Sequence, residues 1–245
     1  KELSELLGIG IATVNRYENG ALQSEAHDQA IRLSMQPANM LQILEKKPEL
    51  LSEFTRNRII QRLQGKEQDC GDLLEEAIEQ FGSYSPSLLS GFIPFNANKL
   101  FQAIKFFCYK DQVSKTKLNK LLFYADFKHF KDNGVSISGA RYAHAYYGPV
   151  PDQFNTWLTA ISEWDKQITS EEQAFGDLVG EVYTSGEPDW TVFTTSELAA
   201  LAFVKDKFQK FTARQIRDFS HQEKGYQTTK DGEIISYQYA QELQI

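Results

Sequence analysis

The aromatic residues of this chain are concentrated in its C-terminal part, and this asymmetry limits how the chain can be organised. Of its 31 Phe, Tyr and Trp residues, 26 lie at or beyond Phe95. The formal charge is uneven as well: residues 1–65 are neutral, residues 66–94 carry −5 and residues 95–245 carry −2. We therefore predict an N-terminal domain over residues 1–64, an acidic helical connector over residues 65–94 and a larger C-terminal domain over residues 95–245.

The composition excludes several classes of protein. With 41% hydrophobic residues the chain can bury a core, and it contains no apolar run near the roughly 18 residues that a membrane span needs. Nothing at its start resembles a signal peptide. Its 2 cysteines form neither a disulfide framework nor a metal-binding motif. We expect a cytoplasmic protein with no membrane partner. The net charge of −7 argues against nonspecific coating of nucleic acid.

The first domain has the pattern of a helix-turn-helix. Two short helices, over residues 1–8 and 11–18, are predicted to end at Gly8 and at Asn19-Gly20. Ser24 is a candidate cap for a third helix that extends through Met35. Short helices joined by a glycine-containing turn are typical of this motif, whose second helix enters the major groove.

The polar face of the second helix carries residue types that read bases. Val14 and Tyr17 lie three residues apart and should face the core, which leaves Thr13, Asn15 and Arg16 outside. Arginine grips guanine, asparagine pairs with adenine and a threonine methyl contacts thymine. The spacing alone leaves a second interpretation open, in which Arg16 is an ordinary exposed helix arginine.

This segment also resembles a known family. The stretch ELSELLGIGIATVNRYENG is similar to the Xre helix-turn-helix, and within that class to MqsA-type antitoxins, with the RYE-x-G element at residues 16–20 as its most specific part. LEKKPELLSE at residues 44–53 matches the same subfamily. The resemblance implies that Arg16 reads bases in a palindromic operator bound by a homodimer. The subfamily's second base-reading position falls on Ala12, so Thr13 or Asn15 would substitute.

The same comparison indicates what this stretch lacks. A complete domain of this type has a helix before the one that begins at Lys1, and relatives often carry a zinc module further upstream. We therefore expect the first domain to lack its first helix.

The acidic connector is predicted to form an amphipathic helix over residues 66–81. Leu73, Leu74, Ala77, Ile78 and Phe81 share one face, with Glu75, Glu76 and Glu79 opposite. The pattern fits a solvated helix packed on one domain and also fits a separate partner-binding helix. Residues 82–94, which are rich in Ser, Pro and Gly, are the expected boundary.

The second domain reads as mainly helical with a small antiparallel sheet, so the fold class of the chain is mainly α. Helices are predicted after Asn96, over residues 115–131, after Asp152, from Thr195 or Ser196, and after a capping box at Thr212 and Gln215. Strands are predicted at residues 141–147 and 178–183, and a rigid turn at residues 148–151. Cys108 is expected to be a core thiol.

Residues 97–245 resemble the Panacea (SocA-like) domain. The matching stretches are KLNKLLFYADFKHF (117–130), YAHAYYGPVPDQFN (142–155) and TARQIRDFSHQEKGY (212–226). The resemblance implies an antitoxin that neutralises a protein toxin by direct binding. Toxins of this family include alarmone-synthetase-like enzymes, and one member is a proteolytic adaptor for its toxin. An N-terminal helix-turn-helix beside this domain is a known arrangement in the family.

Candidate toxin-binding residues follow from side-chain type. Arg141, Tyr146 and Tyr147 are of the kinds that dominate interface hot spots, and the two tyrosines would face opposite ways on a strand, so that one enters the core. Lys120, Lys128 and Lys131 are expected on the outer face of their helix. That face is either simply solvated or a surface that steers an acidic toxin.

No pattern for catalysis or for a bound cofactor occurs. The chain has no HExxH, GxGxxG, GxxxxGK[ST] or GxSxG motif. His129 and Asp126 share a helix face, where a surface hydrogen bond would explain them. We expect no enzyme, catalytic residue, cofactor or metal; convergence of His129, His144 and His221 would indicate otherwise. The remaining alternative is a phage or mobile-element transcription regulator without a toxin partner.

Overall fold

The computed structural model of the chain divides into two compact units, Lys1–Asp69 and Cys70–Ile245. It describes residues 4, 7–10, 13, 17, 24–47, 56, 60, 63, 75, 77–164, 166–175 and 178–245. Residues 77–94 group with the second unit, although the sequence predicted a separate connector up to residue 94. The predicted domain limits at 64 and 94 stay predictions.

The first unit contains two described helices, α1 (Glu25–Ser34) and α2 (Pro37–Lys46). Ser24 caps α1 as predicted, because its Oγ accepts a hydrogen bond from the His27 backbone N–H at 3.4 Å. Pro37 is the first residue of α2. A backbone N–H at this position would have no acceptor within the helix, so proline costs no hydrogen bond there. Leu44 is buried and packs with Met40, Ile43, Ile60 and Leu63. Thr13 and Tyr17 are helical, but the helix-turn-helix arrangement itself stays a prediction.

Residues 77–94 form an ordered strap on the second unit. Ile78–Gly82 make one π-helical turn, and the predicted helix before it falls largely outside the described residues. The Tyr84 hydroxyl donates to the Gly139 carbonyl at 2.7 Å. The Ser136 hydroxyl donates to the Ser90 carbonyl at 2.9 Å, and Ser90 is fully buried. These bonds explain why the strap belongs to this unit.

Several helices of the second unit begin at side-chain caps, and two of these caps, Asn96 and Thr212, were predicted. The helices of this unit are α3 (Ala97–Cys108), α4 (Lys115–Asn133), α5 (Phe154–Trp164), α6 (Thr195–Phe208), α7 (Ala213–Ser220) and α8 (Lys224–Thr228), with 3₁₀ turns at Trp190–Val192 and Tyr237–Glu242. Asn96 caps α3, and the predicted capping box of Thr212 and Gln215 opens α7. Gly134 ends α4 with a φ of 77°, a conformation that glycine adopts without strain.

Two small antiparallel sheets complete the second unit. The first has the order β1–β5–β4, built from Val113–Ser114, Leu178–Ser185 and Ile168–Phe175. The second pairs β2 (Tyr142–Ala145) with β3 (Gly148–Pro151). The predicted rigid turn at residues 148–151 is therefore wrong. Its two prolines fit a strand because alternate N–H groups of an edge strand point away from the partner strand.

Helix α4 lies in the middle of the second unit, against α3, α6, α7 and both sheets. Leu118, Leu121, Leu122 and Ala125 are buried on one face, and residues of its other faces, such as Phe123, Tyr124 and Phe127, are buried as well. The mainly α fold with small antiparallel sheets is confirmed. Among the described residues, no helix is both long and apolar enough to cross a membrane.

Asp126 is the main polar anchor of this core. Its carboxylate accepts hydrogen bonds from the backbone N–H groups of Ile137 (2.7 Å) and Ser138 (2.8 Å) and from the hydroxyls of Ser138 and Tyr142 (both 2.6 Å). Burial raises the pKa of Asp126, and the four donors oppose that shift. The predicted surface hydrogen bond to His129 is wrong, since both side chains are buried and bond elsewhere.

Cys108 is a core thiol, as predicted. It is fully buried at the end of α3, and burial raises the pKa of its thiol to about 12. The thiol is therefore protonated at neutral pH, a state in which cysteine is a weak nucleophile.

Candidate functional site

The β2–β3 hairpin presents two aromatic side chains on a short connection. Ala145 pairs with Gly148, so Tyr146 and Tyr147 alone make the turn. Tyr146 is 81% exposed and Tyr147 is 56% exposed, and their rings meet edge to face at 4.9 Å. The prediction that one of them enters the core is wrong, because β2 ends before either residue is reached.

The base of the hairpin is braced on both strands. Tyr226 donates a hydrogen bond from its hydroxyl to the Ala145 carbonyl at 2.9 Å. The ring of His144 packs on Tyr226 at 3.8 Å between centroids, and its Nδ1 lies 2.7 Å from the Thr229 carbonyl oxygen. On the outer side of β2, the His144 backbone N–H donates to Glu233 at 2.9 Å. The exposed turn therefore stands on a rigid base.

Lys120 reaches the other strand from inside the fold. Its side chain is buried, and its Nζ donates to the Pro149 carbonyl at 3.0 Å. Burial and, to a smaller extent, the nearby positive charge of Arg217 together lower the pKa of Lys120 to about 7. A lysine in this state is only partly charged at neutral pH, so it acts mainly as a hydrogen-bond donor to β3.

Gly148 is required by the same packing. A Cβ at this position would lie 2.6 Å from Ser220 Oγ and 2.8 Å from Lys120 Cε, and the φ of Gly148 is 93°. The strand, α4 and the end of α7 are therefore in direct contact at this point. The sequence around Gly148 and around Ser220 carries no signal that would bring the two residues together.

The histidines form a pair rather than a triad. His221 stacks on Tyr226 at 4.5 Å, so His144 and His221 both contact that ring. Burial lowers the pKa of His221. His129 binds the Val135 carbonyl and Ser196 Oγ instead. Within the described part of the chain, no group of three or more His, Cys, Asp or Glu residues is placed to hold a metal ion.

A family model described as antitoxin SocA-like, Panacea domain, matches residues 118–227, which include the hairpin and its supports. This stretch is a Panacea domain. The match covers a little under half of the chain and runs from inside α4 to inside α8. No curated protein and no solved structure matched. A SocA-like antitoxin domain indicates the antitoxin of a toxin–antitoxin system and implies a toxin partner.

The predicted lysine surface is not on the outside of the Panacea domain as expected. Lys120 is buried, because the middle of α4 is covered by the neighbouring helices and sheets. Lys128 pairs with Asp132 and lies 5.0 Å from the Phe203 ring centroid. Lys131 donates to the carbonyls of Leu243 (3.0 Å) and Ile245 (3.1 Å). Each lysine is engaged within the fold, and a role in toxin binding stays a prediction for all three.

Arg141 also has an internal position, while the tyrosines are open to solvent. Its guanidinium carbon lies 3.8 Å from the centroid of the Tyr84 ring, which connects the start of β2 to the strap. Of the six candidate toxin-binding residues, Tyr146 and Tyr147 are exposed. Arg141 and the tyrosines share one hairpin, whereas Lys128 and Lys131 lie at the far end of α4.

The candidate DNA-binding residues lie in the first unit. Thr13 is helical and half-buried, and its N–H donates to Gly10 at 2.9 Å. Asn15 and Arg16 lie outside the described residues. Tyr17, predicted to face the core, is half-buried with its hydroxyl 2.7 Å from His27 Nδ1.

Proposed function

We propose that this protein is an antitoxin that inactivates its cognate toxin by direct binding through the Panacea domain. The observation that carries the proposal is the exposed pair Tyr146 and Tyr147 on a braced two-residue turn inside the matched region. Tyrosine is enriched among the residues that dominate binding energy at protein interfaces. Adjacent exposed aromatics are uncommon on a surface that binds nothing.

The hairpin base explains how such a surface would bind tightly. Ordering a flexible loop on binding reduces affinity, typically by about 0.5–1.5 kcal/mol for each immobilised side chain. Here the hydrogen bonds of Tyr226 and Lys120 hold both strands before any partner arrives. The turn therefore presents the two rings at little entropic cost.

The proposal is tested with the product of the neighbouring gene as the candidate toxin. This product is expressed under tight control with and without this protein, and growth is measured before the two proteins are co-purified. Arrested growth, rescue by co-expression and a stable complex would support the proposal. A harmless neighbour would contradict it, and would favour the transcription regulator. Alarmone-synthetase-like enzymes are the toxin class to screen next.

The tyrosine pair is tested with a double variant, Tyr146→Ser with Tyr147→Ser. We expect toxin affinity to fall by at least about 30-fold, since hot-spot side chains contribute about 2 kcal/mol or more. The matched control is Phe203→Ser, which removes another exposed aromatic of the Panacea domain. Equal affinities for the wild type and the double variant would remove the hairpin from the interface.

We further propose that residues 1–64 bind the protein's own operator as a homodimer and repress its operon. Support comes from the Xre-like sequence and from the groove-reading types Thr13, Asn15 and Arg16. Arg16→Ala should weaken operator binding by about 1–3 kcal/mol. Arg32→Ala, which removes an exposed arginine paired with Asp28 on α1, is the control. Operator affinity unchanged by Arg16→Ala in a gel-shift titration would contradict the assignment.

A further inference from the structure

A groove of about 300 Å³ lies beside the hairpin, between α4, the β2–β3 pair and the start of α5. Asn119, Ala143, Val150, Asp152 and Asn155 are among its lining residues. The volume is at the lower limit for small-molecule sites, which suits one long side chain and its adjoining backbone. Ala143 and Val150 face each other across the sheet, two residues from the pair that precedes the turn. Each tyrosine of the turn is three residues along its strand from this pair, so the groove begins about 10 Å from them.

Asn119 lines this groove and carries an unsatisfied acceptor. Asn119 is only 8% exposed, and its Oδ1 is buried without a hydrogen-bond partner among the described residues. A buried polar atom left in this way destabilises a fold, because it has given up its hydrogen bond to water. Since buried acceptors are nearly always paired, the atom lacks a donor that a bound molecule could supply.

Asp152 brings a second free acceptor, and its main chain is fixed. Its backbone N–H donates to the Arg141 carbonyl at 2.8 Å, and its carbonyl accepts from Trp157 Nε1 at 2.9 Å. Among the residues that the structure describes, no donor or cation pairs with its half-buried carboxylate. The groove is therefore lined by the side chains of Asn119 and Asp152, whose oxygens accept hydrogen bonds.

These acceptors select a cation rather than an anion. The first N–H groups of α5 also border the groove and by themselves would favour an anion. However, the Asp152 carboxylate, two residues before α5, already supplies negative charge there. An anion would meet that charge and leave Asn119 Oδ1 without a donor. A guanidinium has five N–H donors in a fixed fork and can reach two acceptors at once.

We propose that this groove receives an arginine side chain of the bound toxin, next to the contact made by Tyr146 and Tyr147. This inference rests on the proposed toxin binding and adds the chemistry of the contact. Two variants test it in the full chain, Asp152→Asn, which removes the charge, and Asn119→Leu, which removes the acceptor and keeps the volume. Glu172→Gln, at an exposed site on β4, is the charge-matched control.

The first measurement is the affinity of each variant for the purified toxin by calorimetry. We expect Asp152→Asn and Asn119→Leu each to weaken binding by about tenfold or more, since hydrogen bonds to charged groups are the strong ones. Glu172→Gln should leave the affinity unchanged. Thermal unfolding of each variant shows whether it folds. A toxin that binds the wild type and both folded variants equally well would overturn the groove and leave the antitoxin function intact.

The second measurement does not need the toxin. N-acetyl-arginine methylamide is titrated into the full chain while the Asn119 side-chain amide signal is followed by NMR. A saturable shift that disappears in Asp152→Asn supports the site, even if the proposed function fails with the neighbouring gene product. N-acetyl-citrulline methylamide is the uncharged control. No shift with the arginine probe, or a shift with inorganic phosphate in its place, would overturn the assignment.

Discussion

Helix α4 and the turn of the β2–β3 hairpin are close neighbours, yet they place side chains in opposite ways. The helix buries charged and polar residues, among them Lys120 and Asp126, while the hairpin leaves two tyrosines in solvent. The helix is buried over most of its length, so most of its polar groups find partners inside the fold. The turn projects from its base, and the described part of the second unit leaves both of its tyrosines exposed. Position in the fold, more than residue type, decides which side chains are available to a partner.

The largest expected effect concerns a buried polar residue of α4, Asp126. Asp126→Ala leaves the donors of Ile137, Ser138 and Tyr142 without an acceptor. We expect the free energy of unfolding to fall by about 3–5 kcal/mol, measured by urea denaturation. Asp132→Ala on the same helix removes only an exposed partner of Lys128 and should change it by less than about 1 kcal/mol. Similar losses for the two variants would show that Asp126 is not the anchor.

The next effect concerns the contact between helix and hairpin. Gly148→Ala would place a Cβ against Ser220 and Lys120, and we expect a destabilisation of about 1–3 kcal/mol. Gly134→Ala is the control, because its φ is also positive but nothing lies within 4 Å of the added Cβ. The control measures the loss of stability caused by the positive φ alone, without a steric contact of the added Cβ. If thermal unfolding shows equal losses, the close packing at Gly148 is not what requires glycine.

A smaller effect depends on pH. The pKa of Lys120 is lowered to about 7, so above pH 7 the folded chain has lost a proton that the unfolded chain still holds. Stability from this group therefore rises with pH, by about 1.5 kcal/mol between pH 7 and 8.5. Denaturation of wild type and Lys120→Met across this range should show the rise only in the wild type. Lys128→Met should keep it, and a parallel pH dependence in all three proteins would contradict a neutral Lys120.

The smallest expected effect on stability lies on the exposed side. Tyr146→Ser and Tyr147→Ser, made singly, should each change the free energy of unfolding by no more than about 0.5 kcal/mol, as is usual for surface positions. Urea denaturation measures this, with Tyr142→Ser as a buried counterpart on the same hairpin. A large loss at either exposed position would mean that the turn supports the fold rather than serving a partner.

Local signals in the sequence predicted the elements well where a side chain contacts its own backbone. The side chains of the three cap residues each accept a hydrogen bond from the backbone N–H three residues later, as their types and positions indicated. These residues are Ser24, Asn96 and Thr212. Gly134 ends α4 in the left-handed conformation that glycine adopts without strain. Such contacts depend on a few neighbouring residues, so they can be read without knowledge of the rest of the fold.

The candidate site was harder to predict because it depends on distant parts of the chain. A lysine spaced for the polar face of α4 was expected in solvent, but Lys120 bonds to Pro149, which comes 29 residues later. Likewise, periodicity placed Tyr146 and Tyr147 on a strand, because nothing local marks Ala145 as its last residue. Asn119 and Asp152 border one groove only through the packing of α4 against the hairpin.

The core of the second unit extends beyond the stretch that the family model covers. Phe101, Ile104 and Phe107 of α3 are buried in the same cluster as Phe127 and Tyr237, and only Phe127 lies within residues 118–227. A fragment cut at those limits would expose these apolar partners, and we expect it to aggregate rather than bind. Recombination or grafting would therefore have to carry α3, the strap and the last 3₁₀ turn together with the matched stretch for the hairpin to keep its shape in a new protein.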